Sequence, residues 1–364
     1  MLIVYLLGTI ILFNCAYYLL FSKFSFSKVI ERKAAVHYPV SVLVCSKNEA
    51  ENLKAHIPLW LEQEYEDFEL ILINDASTDD TLEVMEQFAQ GDPRIAIVDV
   101  ATNETFWGSK KYALTLGIKK AKHKRLLFTD ADCKPASKHW ISQMVSQLDE
   151  RKQIILGYGA YQKMPGLLNA IIRFETILTA TQYFSYAMAG NPYMGVGRNI
   201  AYTSNIFYEN SGFTSHMNIQ SGDDDLFVNK AATPSNTGLQ FHPDSFTYSI
   251  PKTTFREWLL QKKRHTTTAK FYKFKHKFLL SAFFFFNLSF WILTMIGCLG
   301  SYWKLVVPMI CFRFLFQMLI LGKVAAKLKE RPLIIFIPIL ELFLVFLQLV
   351  IFSSKRTSSH ANWK

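Results

Sequence analysis

The chain is poor in the residues that mark several common architectures. It has five cysteines in 364 residues, Cys15, Cys45, Cys133, Cys298 and Cys311. None forms a CxxC pair and no HExxH or Cys/His cluster is present, so neither a structural zinc site nor a disulfide framework is expected. The odd count suits a reducing compartment. No GxxxxGK[ST] loop occurs, which argues against a P-loop nucleotidase. Charged residues make up only 19%, against roughly 25% in an ordinary soluble chain. Acidic residues are the scarcer sign, 29 against 40 lysines and arginines, for a formal charge of +11. Half of the residues are hydrophobic, which excludes a disordered tail, a coiled coil and a collagen-like chain. The positive balance fits an anionic membrane surface or a phosphate-bearing substrate. Nucleic acid is not expected as a partner, because the basic residues crowd beside apolar runs and do not alternate with aromatics along a groove.

The apolar residues are unevenly placed. Residues 1–22 carry no charged side chain and are long enough to cross a bilayer. Neither a basic leader nor a small-residue cleavage site marks them as a signal peptide. Three further runs, 278–300, 302–322 and 332–352, form a closing apolar region over 278–352, before a basic tail at 353–364. Lys23, Lys28, Arg32 and Lys33 follow the first span, and Lys270, Lys273, Lys275 and Lys277 precede the second. The positive-inside rule then puts the intervening domain in the cytoplasm and the protein in the cytoplasmic membrane. The same count leaves the basic tail outside, against the rule, so its side stays open and one late segment can instead be re-entrant. Arg313 and Glu341 lie near mid-span, where a polar pathway or an interhelical ion pair accounts for them.

Residues 38–277 read as an α/β unit. Apolar runs at 40–45, 68–73, 95–100 and 125–129 alternate with helical patterns near 49–62, 80–90, 108–122 and 136–149. Strands apolar on both faces predict a mostly parallel sheet covered by helices. Such sheets bind ligands beyond the carboxyl ends of their strands. Three polar clusters stand there: Ser46-Lys47-Asn48-Glu49, then Asn74-Asp75 with Asp79-Asp80, then Asp130-Ala131-Asp132. Asp79 or Asp80 can also serve as an N-cap. Two carboxylates two positions apart suit Mg²⁺ or Mn²⁺, which keep coordination sites open for diphosphate oxygens. Lys110 opens a predicted helix, where an anion is favoured.

The ordered set NDASTDDT, GSKKYAL, TDAD, GVGRN and GDDDL resembles the family 2 glycosyltransferases, and the flanking apolar segments resemble their membrane-bound bacterial members. The resemblance implies a GT-A fold, with a nucleotide-sugar half at 38–160 and an acceptor half at 161–277. It implies that Asp75, Lys110 and Asp130 bind the donor nucleotide, with Asp75 on the base, and Ser46, Asn48 and Glu49 join them by their place at the end of the first strand. It implies that Asp130 and Asp132 form the metal-binding DxD, with Asp132 as the metal ligand. Gly197, Arg198 and Asn199 match the glycine-rich acceptor segment. Gly222-Asp223-Asp224-Asp225-Leu226 matches the EDxDL motif with Gly222 in place of Glu. This makes Asp223 the catalytic base and Asp224 the second candidate. Gln261 and Arg264 match the QxxRW motif of processive members, Gln261 on the acceptor side and Arg264 beside the leaving diphosphate. His265 replaces the tryptophan there, which speaks against processive synthesis.

Residues 166–190 are apolar at helical spacing, which fits an interfacial helix or a buried one equally well. The resulting expectation is an inverting transferase moving a sugar from a nucleotide-diphosphate donor, with UDP-sugar favoured, to a lipid-linked or saccharide acceptor. A polyprenyl-phosphate sugar transferase, a processive synthase and a non-enzymatic nucleotide-binding membrane protein are the rivals. Oligomeric state is not legible.

Overall fold

The computed structural model describes residues 1–29, 38–101, 110–219 and 221–353. In chain order, α1 (Leu2–Ser25) precedes β1 (Val40–Ser46), α2 (Ala50–Leu61), β2 (Phe68–Asp75), α3 (Thr81–Gly91) and β3 (Ile95–Val100). Next come α4 (Lys110–Lys120), β4 (Arg125–Asp130), β5 (Cys133–Pro135), α5 (Trp140–Met144), β6 (Ile154–Leu156) and β7 (Gly159–Tyr161). Then follow α6 (Leu167–Met188), β8 (Ile200–Thr203), α7 (Ser204–Glu209), α8 (Asp225–Ala231), β9 (Thr237–Leu239) and β10 (Thr247–Ser249). The chain closes with α9 (Phe255–Ala269), α10 (Phe274–Leu299), α11 (Trp303–Lys327) and α12 (Ile337–Ser353). The basic tail and the Gly108-Ser109 pair lie outside the described residues.

The chain divides into two units. Among the described residues, one holds Val29–Gln162 and Pro192–Pro251; the other holds Met1–Lys28, Lys163–Asn191 and residues 252–353. The two expected halves, 38–160 and 161–277, both contribute strands to one sheet. Strand β8, from the second of them, pairs antiparallel with both β4 and β6 and so joins them within that sheet.

In the α/β unit the main sheet has the order β3-β2-β1-β4-β8-β6-β9. The first four strands run parallel. Every residue of β1 and β2 is buried, which accounts for their mostly apolar runs; the polar exceptions near their starts, Ser41 and Glu69, bond to each other at 2.6 Å. Chain order reverses between β1 and β4, the position where open α/β sheets leave a crevice. The helix expected over 136–149 contracts to α5. Ser142 Oγ donates to the His139 carbonyl at 2.9 Å and Ser146 Oγ to the Gln143 carbonyl at 2.7 Å. Such local bonds compete with helix propagation.

The other unit contains four helices, among the described residues, long and apolar enough to cross a membrane: Leu2–Ser25, Phe274–Leu299, Trp303–Lys327 and Arg331–Ser353. Arg313 and Glu341 form the expected ion pair. The guanidinium reaches Glu341 Oε2 at 2.6 Å and Oε1 at 2.9 Å, and also Asn14, Asn287 and Gln317. All four helices thus contribute to one buried polar knot. Removing one partner of such a pair leaves an uncompensated charge and costs about 3–5 kcal/mol. Arg313→Leu should therefore lower the unfolding temperature in detergent markedly, and Arg313→Leu with Glu341→Leu should recover part of the loss. Equal losses in the single and double variants would show that the knot is not coupled in this way.

The α6 segment is a buried helix. Ile171, Phe174, Ile177, Tyr183 and Phe184 are all covered, and the helix packs against α1, α11 and α12. Arg173 pairs with Glu330 and Lys262 with Glu175 at 2.5 Å, fixing α6 to its neighbours.

Candidate active site

The site forms at the carboxyl edge of the parallel strands. Cys45 of β1 stands opposite Asp130 of β4, and Ser46 opposite Asn74 of β2. Asp75 ends β2, two strands from Asp130, or about 10 Å at the usual strand spacing. Three acidic clusters that are distant in sequence therefore share one edge.

Lys110, on the first turn of α4, ties one of them to the acidic run ahead of α8. Its Nζ lies 2.7 Å from Asp130 Oδ1 and 3.2 Å from Asp223 Oδ2. Burial works against the ammonium, but Asp130 and Asp223 outweigh it and hold the pKa well above the ordinary lysine value. The recess around it is lined by Asp130, Gly197, Tyr202, Asp223 and Asp224. Tyr202 carries no motif, and its place there follows only from the pairing of β8 with β4.

The two carboxylates ahead of α8 differ in charge state. Burial pushes Asp223 up, but Lys110 and then Lys111 pull it below the usual carboxylate range. Asp224 is pushed up to about 8 by burial and by its neighbours Asp223 and Asp225. Asp224 caps its helix, accepting from Asp225 N at 2.7 Å, and its other oxygen accepts from Gly197 N at 2.6 Å. Gly222 precedes them at φ +105°, a backbone state that disfavours a side chain. A Cβ there would also meet Leu226 Cδ1 at 2.6 Å. The glycine where the family motif has Glu thus belongs to the turn that delivers Asp223.

Asp132 sits beside Asp130, and their ligand oxygens lie with Cys133 Sγ within 4.8 Å of one another. Burial and then the Asp130 charge raise the Asp132 pKa, while Arg198 opposes them. A divalent cation would relieve both penalties. Burial, Asp132 and Asp130 keep Cys133 a thiol, and its Sγ donates to Asp132 Oδ1 at 3.3 Å. That leaves hard carboxylate oxygens as donors, a set that fits Mg²⁺ or Mn²⁺.

The remaining expected residues divide. Ser46 is fully buried and its Oγ has no partner among the described residues. Asn48 takes φ +55° and accepts from Thr78 N at 2.8 Å. Glu49 accepts from Asn52 at 2.5 Å at the entry to α2. Asp75 is buried and its Oδ2 has no partner among the described residues; burial raises its pKa, with Lys47 and Lys110 opposing. Ala76 follows at φ +50°, a costly conformation for a side chain that marks this edge as strained. Asp80 takes the N-cap position of α3 without a side-chain cap bond, while Asp79, one residue before it, accepts from Thr81 N at 3.1 Å and from Ala50 N at 3.3 Å.

Arg198 stacks on Tyr161, 4.2 Å from the ring centroid, and donates to Ala160 O and Ser249 Oγ, both at 3.1 Å. Asn199 turns into the interior. It is fully buried, donating to Tyr158 O and Ser245 O and accepting from Trp140 Nε1. These bonds satisfy its amide and hold the 197–199 turn, so the residue is not positioned to meet an acceptor. Gln261 and Arg264 lie on α9, in the other unit.

Residues 41–210 match the model of glycosyl transferase family 2. The chain carries a family 2 glycosyltransferase domain. Over 153 residues it is 32% identical to an uncharacterised glycosyltransferase of Haemophilus influenzae, covering 42% of this chain and 44% of that one. Over 93 residues it is 33% identical to a poly-beta-1,6-N-acetyl-D-glucosamine synthase of Staphylococcus epidermidis, covering 26% of this chain and 21% of that one. The chain thus matches less than half the length of these curated relatives. Its fold is similar to that of a mannosyltransferase from Pyrobaculum calidifontis solved in complex with GDP-Man and Mn²⁺, with TM-score 0.61 at 17% identity over 94% of this chain and 98% of that one. The family 2 domain therefore has the expected GT-A architecture.

Proposed function

We propose that this protein is a membrane-integral, inverting glycosyltransferase. It moves a sugar from a nucleotide-diphosphate donor to the hydroxyl of a lipid-linked or saccharide acceptor on the cytoplasmic face of the membrane. The observation that carries the reading is the Lys110 ammonium held between Asp130 and Asp223. It joins a diphosphate-binding cation, the DxD and a candidate base in one recess.

Each residue has a part. The free oxygen of buried Asp75 accepts a nucleobase N–H, as uracil N3 provides. Asp130 and Asp132 would hold the divalent ion, which when bound neutralises charge on the departing diphosphate. Lys110 does the same from the protein side. Asp223, kept ionised, takes the acceptor hydroxyl proton as that oxygen attacks the anomeric carbon. The C1–diphosphate bond breaks as the new glycosidic bond forms, and the nucleoside diphosphate leaves.

The direct test incubates membranes containing the protein with Mn²⁺ or Mg²⁺ and a panel of UDP- and GDP-sugars, scoring released nucleoside diphosphate. Release with one donor above control membranes supports the reading; none with any donor and any extracted lipid acceptor removes it.

The two aspartates also give distinct pH profiles. A base works only when ionised, so activity falls as pH drops through its pKa, and kcat/KM reports the free enzyme. With Asp223 as base, kcat/KM has no acid limb between pH 6 and 8, because Lys110 and Lys111 hold that carboxyl low. A limb near the Asp224 value of about 8 would move the role to Asp224.

A further inference from the structure

Lys110 and Lys111 are neighbours on α4 yet serve different partners. Lys110 meets carboxylates. Lys111 is more deeply buried, 1% exposed, and its Nζ donates to the backbone carbonyls of Ile219 and, at 2.9 Å, Ser221. No carboxylate lies within ion-pair distance of it among the described residues. A buried ammonium is costly unless its donors are used. Here they are used on the two carbonyls that lead directly into Gly222, Asp223 and Asp224. The carbonyls alone leave its charge unmatched: burial pulls the Lys111 pKa below the ordinary lysine value, and the acidic run, Asp223, Asp225 and Asp224, opposes that in part.

The helix that presents Lys111 is itself rigidly seated. Gly117 lets α4 press onto the sheet, since a Cβ there would lie 2.2 Å from Ile73 Cδ1 and 3.4 Å from Leu43 Cδ2. The turn at Gly222, at φ +105°, has wide backbone freedom when unrestrained. The Lys111 ammonium thus ties a seated helix to the two carbonyls that lead into this turn.

We propose that Lys111 is a positioning residue for transfer: it clamps the Ile219 and Ser221 carbonyls so that Asp223 reaches the acceptor hydroxyl beside Lys110. The inference rests on the glycosyltransferase reading with Asp223 as base. It adds a role that the resemblance of the GSKKYAL stretch, which accounts for Lys110, leaves empty. Lys111 acts through the backbone and does not touch the reacting atoms.

The test compares Lys111→Met, which keeps length and loses the charge, with Lys111→Arg, which can still donate to two carbonyls. Three readouts are taken on the full chain in detergent: amide hydrogen exchange, UDP affinity with Mn²⁺, and turnover with the best donor. In Lys111→Met, exchange of the 217–226 peptide rises at least about tenfold while peptides from β1 and β2 stay within about twofold. UDP affinity stays within about threefold and kcat falls roughly 100-fold, as expected for a misplaced catalytic group. Lys111→Arg restores kcat to within about tenfold of the parent. Unchanged exchange at 217–226 overturns the clamp. So does a general rise in exchange across the sheet with loss of UDP binding and no rescue by arginine, which marks Lys111 as a plain structural residue. If no donor supports transfer, the functional reading fails on its own, and the exchange comparison still decides whether the clamp exists.

Discussion

Asp132→Ala should reduce sugar transfer by roughly 10²–10⁴-fold, and a chelator should do the same to the parent protein. The magnitude follows from the site. Asp132 and Asp130 place two carboxylates within one cation's reach, and both burial and the Asp130 charge act against Asp132 ionising alone. That like-charge arrangement has a use when a divalent ion and a diphosphate complete it. Several kcal/mol of charge stabilisation on the leaving group then disappear with Asp132, and each 1.36 kcal/mol is a factor of about ten in rate. The variant should remain folded, because removing Asp132 also removes a desolvated charge. Initial rates with added Mn²⁺, alongside a melting curve, check both halves. Full activity in the variant, or indifference of the parent to chelation, would remove the metal from the account.

Asp223→Asn is the second large effect. Loss of a positioned general base costs about 10²–10⁴-fold, and asparagine preserves the shape of the side chain. Nucleoside diphosphate affinity should change little, since Lys110 keeps Asp130, 2.7 Å away, and the base-binding Asp75 is untouched. The loss should thus appear in kcat. The same variant separates acceptor classes. A phosphate acceptor needs no strong base, so activity within tenfold of the parent would point to transfer onto a polyprenyl phosphate. Asp224→Asn is the companion: with Asp223 as base it should be the milder of the two, reflecting the lost Gly197 contact at 2.6 Å.

The fold was legible because its strands are buried on both faces. Val40–Ser46 and Phe68–Asp75 have no polar alternation to confuse the period, and the polar residues that end them mark the sheet edge. The DxD and the acidic run stood out for the same reason, as carboxylates in a chain short of them. What escaped has physical causes. The 166–190 stretch is apolar on so many sides that periodicity cannot separate an interfacial helix from a covered one; only packing against α1, α11 and α12 decides it. Arg198 and Asn199 are adjacent in sequence but part ways at a turn, one stacking on Tyr161 and the other bonding inside. Lys111 carries no signal of its own in the sequence, because a helix separates two neighbouring lysines by direction and not by type. The polar knot of Arg313 and Glu341 was visible as two ionisable residues, whereas Asn14, Asn287 and Gln317 carried no charge to attract notice.

The central claim is that the carboxylates of the sheet edge form one nucleotide-sugar site. Calorimetric titration of UDP into the full chain, with and without Mn²⁺, tests it most directly, with GDP run in parallel. The account predicts saturable one-to-one binding of a nucleoside diphosphate that strengthens with Mn²⁺, loses that metal dependence in Asp132→Ala, and weakens in Asp75→Ala. Absence of binding by either nucleotide to the folded protein, or binding that neither substitution alters, would contradict it.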